Sequence, residues 1–160
     1  MEQIFGEIRA AVRGNAWILA LFGILAIPDI CAALGSADGK TSGQKYRDWI
    51  DANLRAKYTG LDAGELYRMR CSMLHQASSN TARYERIIFV APGPVRMHNN
   101  VINNALNLDL PTFAEDIITA ASDWLAANRD TEPVKTNLAS IVRWYPDGFR
   151  PYVGRMPVLT

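Results

Sequence analysis

Residues 16–34 read AWILALFGILAIPDICAAL, and this stretch decides the architecture. Its apolar residues fall at every angle around a helix rather than along one stripe. A helix of that kind is buried on all sides, so it belongs in the middle of a bundle. Its uncharged start, residues 16–27, is shorter than the ~20 apolar residues a bilayer crossing needs. Pro28-Asp29 then interrupts the run, and the expectation is an interior helix rather than a membrane segment. Asp29 is expected either to reach solvent near the helix end or to serve as a buried acceptor.

On the N-terminal side, Ile4, Phe5, Ile8, Ala11 and Val12 recur at helical spacing, with Glu2, Glu7, Arg9 and Arg13 on other faces. They predict a short amphipathic helix, ended by Gly14-Asn15, with Asn15 capping the helix that follows. On the C-terminal side, residues 35–43 (GSADGKTSG) form a loop without the spacing of a phosphate-binding P-loop. Thr41-x-x-Gln44 resembles a capping box for a third helix, whose inner face is Tyr46, Trp49, Ile50 and Leu54. Asp62-x-x-Glu65 opens a fourth helix that runs to about Gln76.

Beyond it the pattern changes. Residues 84–91 (YERIIFVA) are rich in β-branched and aromatic side chains and stop at Pro92-Gly93-Pro94. Residues 105–110 (ALNLDL) alternate, with Leu106, Leu108 and Leu110 on one side. The two are expected to pair as a small ribbon, with a third strand over 97–102 turned by Asn103-Asn104. Thr112-x-x-Glu115 is expected to cap a fifth helix carrying Phe113, Ile117, Ala121, Trp124 and Leu125 inward. A sixth helix would place Val134, Leu138, Ile141 and Tyr145 on one side. The expected fold is therefore mainly α, a helical bundle of five to six helices with a small β-ribbon between helices 4 and 5. It forms one domain over residues 1–145, with a tail over 146–160.

The chain has 160 residues, enough for one domain that buries roughly 70% of its unfolded surface. Lys and Arg number 17 and Asp and Glu 16, and neither half is lopsided. A broad basic footprint for duplex nucleic acid is absent, so any nucleic-acid contact must be local. Cys31 and Cys71 lie far apart, suggest neither a disulfide framework nor a zinc site, and fit a reduced, cytoplasmic compartment.

The chemistry-bearing stretch is Arg68-Met69-Arg70-Cys71-Ser72-Met73-Leu74-His75. At about 100° per residue, Arg68, Ser72 and His75 form a single line, whereas Arg70 points about 140° away from His75. Histidine takes and gives protons near neutral pH, and arginine is a permanent cation shaped for phosphate. No metal or cofactor is implied. Plainer roles stand beside these. His75 suits a helix C-terminus, where cations are favoured. Either arginine can pair with Glu65 or another acid. Cys71 is a small buried hydrophobe or, less simply, a reactive thiol.

The Arg-x4-His pattern of Arg70 and His75 resembles the signature of the HEPN superfamily, and Arg68 to His75 meets its looser form. The string LYRMRCSMLHQ, residues 66–76, is similar to groups of bacterial proteins associated with that superfamily. The resemblance implies a helical bundle with the motif on a late helix after a long hydrophobic one. It implies a metal-independent endoribonuclease or RNA-binding effector of toxin or defence type, working as a homodimer with two motifs facing one cleft. RNA would be its substrate or ligand, with a protein partner or antitoxin as a further expected partner. In that chemistry the RNA 2′-hydroxyl attacks the adjacent phosphate, His75 moves the proton, and Arg70 or Arg68 stabilises the developing charge. One donor of that kind is worth ~2.7–4 kcal/mol of barrier. The residue after the motif arginine is Cys71, where the family commonly carries Asn, Asp or His. That departure keeps two further readings open: a non-catalytic interaction module, and a nucleotide or anion binder using the same cluster.

Ser72 and Cys71 complete the expected contact set on the motif helix. His98 and Asn99, in the polar stretch after Pro92-Gly93-Pro94, are expected to contribute from a loop that closes over the cleft, although asparagines also simply form turns. Trp17, Trp49 and Trp124 are expected inward. Trp144-Tyr145 is either packed or an exposed stacking platform.

Overall fold

A computed structural model describes residues 1–79 and 81–160. Its helices are α1 (Glu2–Arg13), α2 (Trp17–Leu34), α3 (Gly43–Asn53), α4 (Ala63–Gln76), α5 (Leu110–Asn128) and the short α6 (Val134–Leu138). Three strands lie between α4 and α5: β1 (Arg86–Val90), β2 (Asn100–Ile102) and β3 (Ala105–Asp109). The protein is mainly α with small β elements, as its sequence predicts.

The all-round apolar helix takes the middle. α2 packs against α1, α3 and α5 and touches α4 and α6. Ile24, Leu25 and Ile27 share one core with Phe5, Tyr46, Ile50, Leu66, Met69, Phe113 and Ile118, all nearly or fully closed to solvent. α2 passes the length and hydropathy test of a membrane span, a test interior helices also pass, and 56% of it is buried within the protein. Cys31 lies in this core, and burial pushes its thiol up to about 12.

Several helix starts differ from expectation, each for a local reason. Ser42, not Thr41, caps α3 by accepting from the Lys45 amide at 3.2 Å. Thr41 instead donates its hydroxyl to Asp29. Ala16, not Asn15, occupies the cap position of α2, and Asn15 takes a left-handed backbone at φ 61°. Asp109, not Thr112, caps α5, accepting from the Thr112 amide at 3.0 Å. Pro111 fits the first turn because its missing N–H is not needed there. Asp62 caps α4 as expected, accepting from the Glu65 amide at 2.8 Å.

The sheet order is β1-β3-β2. β2 and β3 form an antiparallel hairpin, turned by Asn103 and Asn104 at φ 49° and 59°. Asparagine tolerates that left-handed pair, which matches strand twist. β1 therefore takes the other edge of β3, and its pairing is parallel, with Ile87 opposite Leu106 and Phe89 opposite Leu108. β3 is buried on both faces, so its alternation does not mark a solvent side. Asn107 is satisfied by the Ala105 and Asn100 carbonyls, and Asp109 by its capping role.

α6 stops at Leu138, short of the expected helix through Tyr145. Tyr145 precedes Pro146, whose ring disfavours helical backbone on the residue before it. Tyr145 instead joins β4 (Trp144–Tyr145), paired antiparallel with β7 (Val158–Leu159). Between them β5 (Gly148–Phe149) and β6 (Val153–Gly154) make a second two-stranded ribbon. The tail over 146–160 is thus ordered into strands. Trp49 is buried, while Trp17 and Trp124 pack partly exposed against the core.

Candidate functional site

α4 carries the motif. Leu66 and Met69 anchor its inner face at 0% exposure. Arg68, Ser72 and His75 lie along the other side, with Arg68 and His75 exposed and Ser72 half-buried. Arg68 is tied one turn back to Glu65, whose carboxylate is almost wholly buried. Glu65 also accepts from the Arg83 amide at 3.4 Å, so it anchors the segment leading to β1. His75 makes no side-chain hydrogen bond or ion pair with the described residues.

Arg70 turns the other way. Its Nε donates to Asp29 Oδ2 of α2 at 2.6 Å, and its Nη1 lies 3.9 Å from Cys71 Sγ. Thr41 donates to the other Asp29 oxygen at 3.2 Å. Partial burial opposes the guanidinium charge, but the hydrogen bond and attraction of Asp29 outweigh it, so the Arg70 pKa rises above its ordinary value. Asp29 is thus the buried acceptor of the two alternatives its position left open. Three segments meet at this carboxylate: α2, α4 and the loop before α3.

The motif residues therefore divide. Arg68, Ser72 and His75 share a face, while Arg70 and Cys71 lie toward α2. Both guanidiniums are already paired with carboxylates. Concavities of about 590 and 600 Å³ open elsewhere on the protein, and neither is lined by Arg68, Arg70 or His75.

His98 and Asn99 do not close over α4; their partners are elsewhere. The His98 Nε2 lies 3.3 Å from the Tyr58 hydroxyl and 3.8 Å from Asp116 Oδ2. Tyr58 donates to Asp116 at 2.7 Å, and Lys57 Nζ reaches the other oxygen of Asp116 at 2.5 Å. Asn99 Nδ2 donates to the Lys57 carbonyl at 3.4 Å. The sequence offered little sign of this cluster, because Tyr58 and Asp116 stand far apart along the chain and neither belongs to a motif. The polar loop around His98 was the one visible clue.

Burial is the main force holding the His98 pKa below its ordinary value, against the attraction of Asp116 and Asp109 and with the repulsion of Arg96 and Lys57. Geometry agrees: His98 Nδ1 is buried without a hydrogen-bond partner, so a proton there would go unmatched. A histidine pKa lower in the folded than in the unfolded chain stabilises fully above the unfolded value of about 6.5, and that contribution is lost as pH falls through 6.5 toward the folded pKa. The paired Glu115 carboxyl, lowered chiefly by its hydrogen bond from Arg9, loses its contribution only at lower pH. Urea midpoints are therefore expected to fall between about pH 7.5 and about pH 5.5, and to fall less in His98→Gln. Equal slopes in both proteins would contradict the neutral His98.

No family model, curated protein or solved structure matches this chain.

Proposed function

We propose that this chain is a helical association module whose working form is a homodimer, with the motif helix beside the contact. One observation carries the reading. At about 100° per residue, the residues of α2 that are not buried, apart from Trp17, fall within an arc of about 140°. They are Ile18, Leu19, Phe22, Ala26, Ile30 and Ala33, with Gly23 at the edge facing Ile8. Ile18 and Leu19 are each 68% exposed. The charge on this arc is Asp29, already neutralised by Arg70.

The exposed end of the arc, at Ile18 and Leu19, is apolar and supports an interaction surface there. Without free charges it offers a differently charged partner nothing to steer by. A second copy can cover it with the same arc under two-fold symmetry. That contact would also cover the flank of Arg70.

A second reading keeps the RNA chemistry implied by the resemblance: the dimer would bring two copies of α4 together to cleave RNA without metal. The exposed His75, without a partner among the described residues and in line with Ser72, favours it, and the carboxylates on Arg68 and Arg70 count against it. Sedimentation of the wild type and of an Ile18→Glu/Leu19→Glu double variant tests the association. The wild type is expected at twice the mass of the 17.8 kDa chain, and the variant at the single mass with the circular dichroism spectrum of the folded wild type. A monomeric wild type overturns the proposal. RNA incubated in EDTA with the same dimer decides the second reading: it requires cleavage that His75→Ala abolishes.

A further inference from the structure

The C-terminal strands form a surface that the association reading does not use. Residues 143–155 read RWYPDGFRPYVGR, alternating arginines with aromatic rings around a single acid, Asp147. The two ribbons fix these rings in space. Phe149 and Tyr152 lie nearly parallel, centroids 6.0 Å apart at 10°, and Tyr145 tilts against Phe149 at 4.8 Å. Tyr152 is 80% exposed and Trp144 47%. Phe149 and Tyr152 line a concavity of about 520 Å³ with Val153, Val158 and Leu159.

The β5–β6 pairing depends on Gly148. Its φ is +89°, and a Cβ there would lie 2.5 Å from the Val153 carbonyl oxygen. The ring array is therefore built into the ribbon backbone.

The cations complete the pattern. Arg143, Arg150 and Arg155 are exposed, and none forms an ion pair with a described residue. Arg143 spends one N–H on the Leu138 carbonyl at 2.9 Å. Flat, solvent-facing rings among unpaired guanidiniums complement a ligand made of flat rings joined by anions. The balanced net charge of +1 offers no broad field for a duplex.

We propose that this ribbon pair is a stacking platform for single-stranded nucleic acid, with an unpaired base on Tyr152 and phosphates on Arg150 and Arg155. The inference does not rest on the dimer or on His75. Stacking on an aromatic ring tolerates any base, so the platform would read strandedness rather than sequence. The ribose and deoxyribose forms share this chemistry, and the test separates them.

The experiment is fluorescence anisotropy of the full chain with labelled oligouridine and oligodeoxyuridine of about twelve nucleotides and with a duplex of equal length. Either single strand is expected to bind more tightly than the duplex, and the tighter of the two names the sugar. Tyr152→Ala removes a ring that is mostly in solvent, so the fold should survive, and binding should weaken about tenfold. Arg150→Ala/Arg155→Ala should lower the slope of log affinity against log salt by about 1.4. Each variant's circular dichroism is compared with that of the wild type, and Arg129→Ala, outside the ribbons, should bind as the wild type does. Absence of binding, equal binding of duplex and single strand, or a folded Tyr152→Ala with wild-type affinity overturns the proposal. So does a proline-rich peptide that binds this face where the oligonucleotides do not.

Discussion

Arg70→Ala is expected to destabilise the protein by about 3 kcal/mol, the lower end of the range for removing one member of a buried ion pair. The side chains of Arg70 and Asp29 are 20% and 12% exposed, which places the loss there rather than higher. The cost comes from what is left behind. Among the described residues, Asp29 would keep only the Thr41 hydroxyl as a side-chain partner, and an unmatched carboxylate in low dielectric is expensive. The pair's own net worth is a separate quantity. Replacing both members with apolar side chains of similar volume, Asp29→Leu with Arg70→Met, should recover most of the loss, because neither charge then needs desolvation. Urea unfolding of the two single variants and the double variant forms a cycle that separates these terms. An Arg70→Ala loss below about 1 kcal/mol would mean that water reaches Asp29 freely and that the tie is a surface pair.

This expectation bears on how the motif is read. A guanidinium that stabilises a phosphate must be free to meet it. One that joins two helices to a loop has its charge committed in the resting protein. Binding RNA through Arg70 would require leaving Asp29 unmatched, at a cost of about 3 kcal/mol, or adding the phosphate beside Asp29 against repulsion. Arg68 faces a similar constraint from Glu65, although its exposed guanidinium has more freedom to turn.

The order of elements was legible because it rests on periodicity. The all-round apolar run of α2, the inward stripe of α3 and the Asn103-Asn104 hairpin each express a local rule, and each is where its rule places it. The caps were less legible because the rival candidates stand within three residues of each other: Thr41 and Ser42 both suit a helix start, and a long-range contact with Asp29 decides which is free to cap. The parallel pairing of β1 with β3 was hidden because strand direction depends on the path of residues 91–99, which carry no periodic signal. The division of the motif was half legible. Helical arithmetic separates Arg70 from His75, but nothing local says that Asp29, forty-one positions away, is waiting for the guanidinium. The Tyr58–Asp116 contact is of the same long-range kind.

Phe113→Ala is expected to cost about 3–5 kcal/mol, the range for truncating a buried aromatic ring. Phe113 is fully buried at the first turns of α5 and meets two rings from different parts of the chain. Tyr58 stands edge-on at 5.7 Å and 86°, and Phe89 of β1 tilts at 5.7 Å and 50°. The ring thus joins α5 to the sheet and to the turn after α3, and a void there would be bordered by elements that cannot all collapse into it. Chemical denaturation gives the size of the loss. A second consequence distinguishes this position from other core sites. Tyr58 holds its hydroxyl on Asp116 and lies against the His98 ring. Loosening Tyr58 would let water reach the unmatched Nδ1 of His98 and relieve the burial that lowers its pKa. The imidazole should then titrate closer to its ordinary value, a shift visible in its ring-proton resonances. A core truncation remote from Tyr58, such as Leu25→Ala in α2, should leave that titration unchanged. If both variants moved His98 alike, general softening of the fold would explain the shift and Phe113 would have no particular hold on Tyr58.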